Sequence, residues 1–193
     1  MTRTKVLGAL IGGALGDAWG LPFENKTGPT KFISPQEASA VSDDTQLTIA
    51  TCESLIAKQI VDPSDIARRF LDLYRVHGIH GAGSSTIRAM QNLDAGMHWA
   101  FAGARGEYAA GNGAASRIAP IALWPAATEN DVADVCRITH CNDEALAGAL
   151  AVFYAIRFAL AGPLADLLER VAAKLPDSAV RDRIADSQAS RRG

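Results

Sequence analysis

Helical spacing of apolar residues runs through almost the whole chain, and it limits the possible folds more than any other feature. The stretch from Asn142 to Ala161 places apolar residues on one side of a helix, at Ala145, Ala149, Val152, Phe153, Ile156 and Leu160. No run of alternating apolar and polar residues marks a strand, and no internal repeat or linker divides the chain. The pattern predicts one compact all-α domain over residues 1–193, with glycine-rich loops at 20–35, 77–85 and 103–113.

Two helices have clear N-terminal signals. Ser42 can cap a helix that runs to about Gln59, because a serine side chain can accept a hydrogen bond from a free backbone N–H of the first turn. Asp62 is followed by Pro63, the usual order of a capping residue and a first helical residue. Further helices are predicted over residues 86–93, 131–139, 142–161, 164–175 and 178–187, and a helix broken by Pro120 is predicted within 112–124.

Charge and cysteine content exclude several classes of protein. The 193-residue chain has 19 basic and 21 acidic side chains and a net charge of −2. It therefore lacks the basic surface of a nucleic-acid-binding protein and the polybasic segment of a membrane-surface protein. Cys52, Cys136 and Cys141 form no CxxC pair, which argues against a disulfide framework or a zinc finger and favours a reducing cytoplasm. We expect a cytoplasmic protein with no nucleic-acid or membrane partner.

The N-terminal segment combines an apolar run with regularly spaced glycines. Glycine recurs every fourth residue and forms one stripe on a helix, at Gly8, Gly12, Gly16 and Gly20. Since each interior glycine costs about 1 kcal/mol relative to alanine, the stripe predicts a tightly packed helix with another backbone passing close to it. The apolar run over residues 6–15 follows two basic residues, as in a signal peptide, but its glycines weaken that interpretation. The run is also shorter than the roughly 20 residues that cross a bilayer.

The sequence Ser42-Asp43-Asp44-Thr45 places four oxygen-bearing side chains at the start of a helix. Adjacent helical residues point about 100° apart, so both carboxylates can approach one point only near this N-terminal end. Hard divalent cations such as Mg²⁺ prefer oxygen ligands of this kind. A serine cap with acids in the first turn also stabilises any helix. The tetrapeptide alone leaves both interpretations open.

Two further acids stand in unusual surroundings. Asp17 interrupts an apolar helix, where an acid is either paired or functional. Glu24 follows Gly20-Leu21-Pro22-Phe23, where the chain must leave that helix. Taken alone, Glu24 is typical of a surface loop.

Residues 111–117, GNGAASR, form a glycine-rich turn before a helix. Such a turn exposes backbone N–H groups that can receive a phosphate, but it is neither a P-loop nor a full dinucleotide fingerprint. His140 is predicted at the end of a helix, where a histidine often just satisfies a carbonyl group. Each feature is a weak signal by itself.

The order of these motifs resembles the ADP-ribosylglycohydrolase family, and the resemblance runs from about Lys5 to Gly162. The motifs are GALIGGALGDAWGLPFE (8–24), SDDTQLT (42–48), GAGSST (81–86), GNGAASRIAP (111–120) and Thr139-His140. The resemblance implies an all-α fold with a two-magnesium site in a cleft. It implies metal ligands at Ser42, Asp43 and Asp44, a loop glutamate at Glu24 near the scissile bond, and ADP-ribose contacts at Gly111, Asn112, Gly113 and His140.

Three departures from the family pattern qualify this interpretation. Ser42 stands where threonine is usual, and Ser116 stands where methionine is usual. Family members also continue to an Asp-x-Asp-Thr motif that supplies further metal ligands, and the helical tail over 163–193 does not match it.

The resemblance implies a Mg²⁺-dependent hydrolase, with Mn²⁺ as a possible substitute, that releases ADP-ribose from a modified amino acid of a protein. Glu24, Asp43 and Asp44 are the expected catalytic residues. Two alternatives remain open: a protein that binds ADP-ribose without turnover, and a fragment completed by a second chain or a homo-oligomer.

Overall fold

The protein is built from helices joined by short connections, as the sequence predicts. The computed structural model describes residues 2–24, 26–28 and 40–192, and of residues 188–192 it describes the backbone alone. The helices are α1 (Arg3–Gly20), α2 (Asp43–Lys58), α3 (Pro63–Val76), α4 (Ser84–Asp94), α5 (Trp99–Ala102), α6 (Ala119–Leu123), α7 (Glu129–Arg137), α8 (Asp143–Ala161), α9 (Leu167–Ala172) and α10 (Ala179–Arg192). Single 3₁₀ turns are formed by Leu21–Phe23 and Glu107–Ala109. Half of the loop predicted over 20–35 lies outside the described residues.

The two predicted helix caps are confirmed. Ser42 Oγ accepts a hydrogen bond of 3.2 Å from the N–H of Asp44, so α2 begins where its serine predicts. The Asp62 carboxylate accepts bonds from the N–H groups of Ser64 and Asp65, at 3.0 and 3.2 Å. These bonds satisfy donors that have no partner inside a helix.

The hydrophobic core lies around α8, which contacts α6, α7, α9 and α10. Its largest buried apolar side chains include Leu47, Ile66, Phe70, Met90, Ile121 and Val132. Full burial of one such side chain contributes about 1.5–3 kcal/mol. The core therefore fixes α2, α3, α4 and α6, which carry or support the polar residues described below.

A two-residue parallel bridge joins β1 (Ala104–Arg105) to β2 (His140–Cys141). No strand was predicted here, because two residues are too short to show an alternating pattern. The prediction that His140 ends a helix is wrong: α7 ends at Arg137, and the chain then turns into β2. Gly103 lets the strands meet, since an added Cβ would collide with the Arg137 carbonyl and lie 2.8 Å from the His140 nitrogen.

Pro120 does not break a helix, contrary to the prediction. It stands in the first turn of α6, which begins at Ala119. Proline fits there because its missing N–H would have had no partner inside the helix. The preceding residues 113–117 form turns instead of the helical start that was expected.

Helix α1 lies on the outside of the described structure. None of its residues is buried, and a Cβ added at Gly8, Gly12, Gly16 or Gly20 would meet no described atom within 4 Å. The predicted close approach of another backbone is therefore wrong for the described part of the chain. By length and composition, Arg3–Phe23 and Asp143–Ala161 could each cross a membrane, but core helices and signal sequences pass the same test. The apolar run over residues 6–15 is too short to cross a bilayer, but the helix that contains it is long enough.

Candidate active site

Asp17 attaches the exposed helix α1 to the N-terminus of α2. Its Oδ2 atom accepts hydrogen bonds from the Ser42 N–H at 2.9 Å, the Thr45 N–H at 3.2 Å and the Thr45 hydroxyl at 2.5 Å. The sequence left open whether this acid is paired or functional, and the structure shows that it is paired. It thereby fixes the position of Asp43 and Asp44 relative to α1.

The loop before α4 closes over the same helix end. The Asp43 N–H donates to the His80 carbonyl oxygen at 2.6 Å, and the His80 N–H donates to Gln46 Oε1 at 3.0 Å. Gly81 adopts a φ of +78°, and a Cβ added there would lie 3.4 Å from the Ser42 Cβ and 3.7 Å from Asp43 Oδ1. The backbone conformation therefore favours glycine here, whereas the space beside Ser42 and Asp43 would admit a Cβ at ordinary contact distance.

Four carboxylates form what we call the acidic cluster: Asp17, Glu24, Asp43 and Asp44. Asp43 is only 8% exposed. Burial raises its pKa to about 6, and the negative charges of Asp44, Glu24 and Asp17 add to that effect, while the hydrogen bond from its own backbone N–H lowers it. A carboxylate in such surroundings favours a proton or a cation beside it.

A cavity of about 750 Å³ lies between α1 and α2 and has three members of the acidic cluster at one end. Asp17, Glu24 and Asp44 line that end, while the walls are apolar and include Leu10, Ile11, Ile49, Cys52 and Ile56. A volume of this size is typical of ligand-binding cavities. Asp43, Gly111, Asn112, Gly113 and His140 are not among its lining residues.

A second group, which we call the histidine cluster, consists of Gly111, Gly113, Thr139 and His140. A Cβ added at Gly111 would lie 3.2 Å from His140 Nε2, and one added at Gly113 would lie 3.2 Å from His140 Cε1. The structure therefore brings together the loop and the histidine that the sequence singled out separately. Asn112, between the two glycines, is exposed to solvent.

The imidazole of His140 is neutral in these surroundings. The side chain is 3% exposed, and its Nδ1 lies 2.7 Å from the Thr139 hydroxyl. Burial lowers the pKa of His140 to about 4, and the positive charge of Arg117 lowers it further. The histidine can thus bind a ligand by hydrogen bonding, but not as a cation at neutral pH.

Arg117 lies between the two clusters and was not singled out from the sequence. Its side chain is fully buried, donates to the Thr139 hydroxyl and to the Val135 carbonyl oxygen, and stacks 4.9 Å from the centre of the Phe70 ring. Burial lowers its pKa to about 10, an effect that the nearby Cys136 thiol and the charges of Asp43 and Asp44 oppose. The available signal was a lone charge directly before an apolar run.

The residues at the N-terminus of α2 fit a hard divalent cation in type but supply only part of its ligands. Ser42, Asp43 and Asp44 all offer oxygen ligands. The pKa of Asp43 is raised first by burial and then by the neighbouring acids, whose negative charge a cation would neutralise. Within residues 2–24, 26–28 and 40–192, no group of three or more His, Cys, Asp or Glu side chains is arranged to hold a metal ion. Other ligands of a six-coordinate ion would have to be water or further oxygen donors.

Comparisons with known proteins identify the family of this chain. The family model described as ADP-ribosylglycohydrolase matches residues 1–193. A protein of Archaeoglobus fulgidus that carries the name "Uncharacterized protein" is 31% identical over 169 residues, which cover 79% of this chain and 54% of that protein. ADP-ribosylhydrolase ARH3 of Gallus gallus is 27% identical, over 91% of this chain and 56% of its own length.

A solved structure has the same fold. It is named "ADP-ribosylglycohydrolase-related protein complex" and matches with a TM-score of 0.68 and 31% identity, over 89% of this chain and 63% of the solved chain. The present chain spans about half the length of the curated relatives it matches. The family model, the relatives and the fold lead to one conclusion: this chain belongs to the ADP-ribosylglycohydrolase family.

Proposed function

We propose that this chain carries the acidic part of a magnesium-dependent site that hydrolyses ADP-ribosyl bonds. The reaction adds water across the bond between ribose C1 and the side-chain nitrogen or oxygen of a modified amino acid, which releases ADP-ribose and restores the side chain. One observation carries the proposal: in a member of this family, the carboxylates of Asp17, Glu24 and Asp44 line one end of a ligand-sized cavity, and their charges act on the buried Asp43. Bonds of this type break through a transition state with positive charge on the sugar.

Asp43 and Asp44 are the proposed ligands of Mg²⁺ or Mn²⁺, together with the hydroxyl of Ser42. Ser42 Oγ accepts one hydrogen bond, from the Asp44 N–H, and keeps a second lone pair. When bound, such an ion supplies Lewis-acid polarisation of water and of ribose hydroxyls. The protein contributes two carboxylates on a helix end whose backbone is held by Asp17 and the His80 carbonyl.

Glu24 is best placed to take the proton from the attacking water. It is exposed at the acidic end of the cavity, directly after the 3₁₀ turn that follows α1. Asp43, the other candidate, is nearly buried and does not line the cavity. A general base must reach the proton that it removes, so we assign that role to Glu24 and an electrostatic role to Asp43.

The histidine cluster is the proposed site for the rest of ADP-ribose. The loop over residues 111–113 has no side chain beyond Asn112 that would keep a phosphate from its backbone. His140 lies against this loop and can offer one N–H group. Binding energy from the nucleotide would position the scissile bond at the acidic cluster.

A specific observation favours a second candidate, a protein that binds ADP-ribose without turnover. Among the described residues, no group of three or more His, Cys, Asp or Glu side chains is arranged to hold a metal ion. Such a protein would keep affinity for ADP-ribose and show no release that depends on Mg²⁺. Three unpaired cysteines suit a reducing cytoplasm for either candidate.

Helix α1 motivates a third possibility, a complementing chain or a second copy of this one. Its exposed apolar side chains are Leu7, Ile11, Leu15 and Trp19, and contiguous exposed apolar surface commonly marks an interface. The chain also spans only about half of its curated relatives. Adding the remaining segment of a relative should raise the melting temperature and increase release of ADP-ribose. A monomer whose stability and activity ignore that segment contradicts this possibility.

The decisive experiment measures release of ADP-ribose from an ADP-ribosylated peptide, with Mg²⁺ and with a chelator. We expect release with Mg²⁺ alone, and a loss of about a hundredfold or more in Asp44→Asn. Asp72→Asn is the matched control, because Asp72 is an exposed acid on α3 that does not line the cavity. Release that survives the chelator or Asp44→Asn contradicts the metal role. Binding of ADP-ribose without any release favours the second candidate.

A further inference from the structure

Arg117 is a buried charge without a carboxylate in ion-pair contact in the described part of the chain. It is fully buried, and its Nε atom has no hydrogen-bond partner. Its terminal nitrogens donate to the Val135 carbonyl oxygen at 3.4 Å and to the Thr139 hydroxyl. A buried cation with so few partners is costly, so its contact with Thr139 needs an explanation beyond packing.

The hydrogen bonds at Thr139 determine which nitrogen of His140 carries the proton. Arginine only donates, so the Thr139 oxygen must act as acceptor toward Arg117. The threonine is fully buried, and His140 Nδ1, at 2.7 Å, is the one acceptor in reach of its hydroxyl proton among the described residues. If Nδ1 were protonated, two donors would face this oxygen and the hydroxyl proton would be buried without a partner, which is unfavourable. Nδ1 is therefore the acceptor, and Nε2 carries the proton.

The Nε2 edge of the ring faces the glycine loop. Positions for a Cβ at Gly111 and Gly113 lie 3.2 and 3.8 Å from Nε2. No described residue accepts a hydrogen bond from this nitrogen. The N–H is thus directed at two glycines, which place backbone and no side chain against this edge of the ring.

We propose that Arg117 and Thr139 are positioning residues that hold His140 as the neutral Nε2–H tautomer, ready to donate to an oxygen of a bound phosphoryl or ribosyl group. The identity of the ligand rests on the proposed function, whereas the tautomer follows from hydrogen bonds within the protein. The low pKa of His140, caused by burial and by the charge of Arg117, leaves the ring with a single N–H. The direction of that N–H then decides whether the ring can donate a hydrogen bond to a ligand at the glycine loop.

The tautomer can be measured without any ligand, by long-range ¹H–¹⁵N correlation spectra of the full chain labelled with ¹⁵N-histidine. The chain has four histidines, and His140→Gln identifies the signal to be followed. We expect an unprotonated Nδ1 and a protonated Nε2 at neutral pH. A protonated Nδ1 in the unmodified protein overturns the proposal.

Two variants separate positioning from packing. Thr139→Val keeps the shape but removes the hydroxyl, so we expect a mixed or reversed tautomer and an ADP-ribose affinity reduced by roughly tenfold. Thr139→Ser restores the hydroxyl and should restore both readouts. Circular dichroism verifies the fold of each variant. An unchanged Nε2–H tautomer in Thr139→Val overturns the positioning role of Thr139. If the unmodified protein has the expected tautomer but does not bind ADP-ribose, only the proposed function is overturned.

Discussion

The acidic cluster and the histidine cluster have opposite surroundings, although both lie beside Arg117. The acidic cluster borders an open groove along α1, a helix with no buried residue. The histidine cluster lies within the packed part of the fold, where Thr139 and His140 are 0% and 3% exposed. The first concentrates negative charge, and the second holds a neutral ring next to a buried cation.

The difference indicates a division of roles between chemistry and recognition. An exposed carboxylate such as Glu24 can reach water and change its protonation state during a reaction. A buried ring with a fixed hydrogen bond cannot change its protonation readily, but it offers a donor in a fixed direction. We therefore expect substitutions in the two clusters to change different kinetic quantities.

The largest expected effect separates turnover from affinity. Glu24→Gln should lower kcat by about a hundredfold or more, with little change in ADP-ribose affinity, because it removes the proposed general base. His140→Ala should instead weaken ADP-ribose binding by roughly tenfold. Steady-state kinetics and calorimetric titration with ADP-ribose measure the two quantities.

The matched control for this comparison is Asn112→Ala, which changes the exposed residue of the loop and leaves the ring in place. Like His140→Ala, it should weaken ADP-ribose binding, but by a smaller factor. Equal losses of kcat in the Glu24 and His140 variants would remove the distinction between the clusters.

A smaller effect concerns stability and pH. The pKa of Asp43 is raised from 3.8 to about 6, first by burial and then by Asp44. The folded protein therefore holds a proton that the unfolded chain has lost, and the free energy of unfolding falls as pH rises from about 4 to about 6. Asp43→Asn should remove this penalty and gain roughly 1–3 kcal/mol at pH 7, with no gain at pH 4. Urea denaturation at both pH values measures this change in the free energy of unfolding.

Asp65 provides a control of opposite sign. Burial favours a higher pKa for this carboxyl, but hydrogen bonds from Arg69 and Arg68 outweigh it and lower the pKa well below its usual range. Its ionised form stabilises the fold above its unfolded pKa, and that contribution is lost as pH falls through the lower folded pKa. Asp65→Asn should therefore lose stability at pH 7. A loss at pH 7 in Asp43→Asn as well would contradict the charge repulsion assigned to the acidic cluster.

The smallest expected effects compare packing at two glycines. Gly103→Ala should cost about 1–3 kcal/mol, because a Cβ there would collide with the Arg137 carbonyl beside the histidine cluster. Gly12→Ala, on the open face of α1, should gain up to about 1 kcal/mol, since its Cβ would meet no described atom within 4 Å. Thermal denaturation of the two variants checks this. A destabilising Gly12→Ala would indicate that another surface covers α1.

Local signals predicted the helices and their caps well, because they depend on neighbouring residues. Ser42 and Asp62 begin α2 and α3 as expected. The exposure of α1, the β1–β2 bridge and the burial of Arg117 could not be predicted in this way, since each depends on residues distant in sequence. Pro120 was misread because a proline that starts a short helix and a proline that breaks a longer one share the same local sequence.

The candidate site was predicted as a set of residues but not as an arrangement. The motifs singled out Glu24, Asp43, Asp44 and His140. The role of Asp17 as the bond between α1 and α2 needed the structure, as did the separation of the histidine cluster from the main cavity. Burial and long-range hydrogen bonds decide these points, and neither has a periodic signature in the sequence.

Titration of the Asp43 carboxyl, with and without Mg²⁺, tests most directly whether the acidic cluster holds a divalent cation. Carbon-13 NMR of the labelled carboxyl follows its protonation. Without metal we expect a midpoint near 6, as burial and the neighbouring acids require. Millimolar Mg²⁺ should move the midpoint to lower pH, because a bound cation favours the ionised form, and the shift should be absent in Asp44→Asn. A midpoint that is unchanged by Mg²⁺ in the unmodified protein would contradict the account.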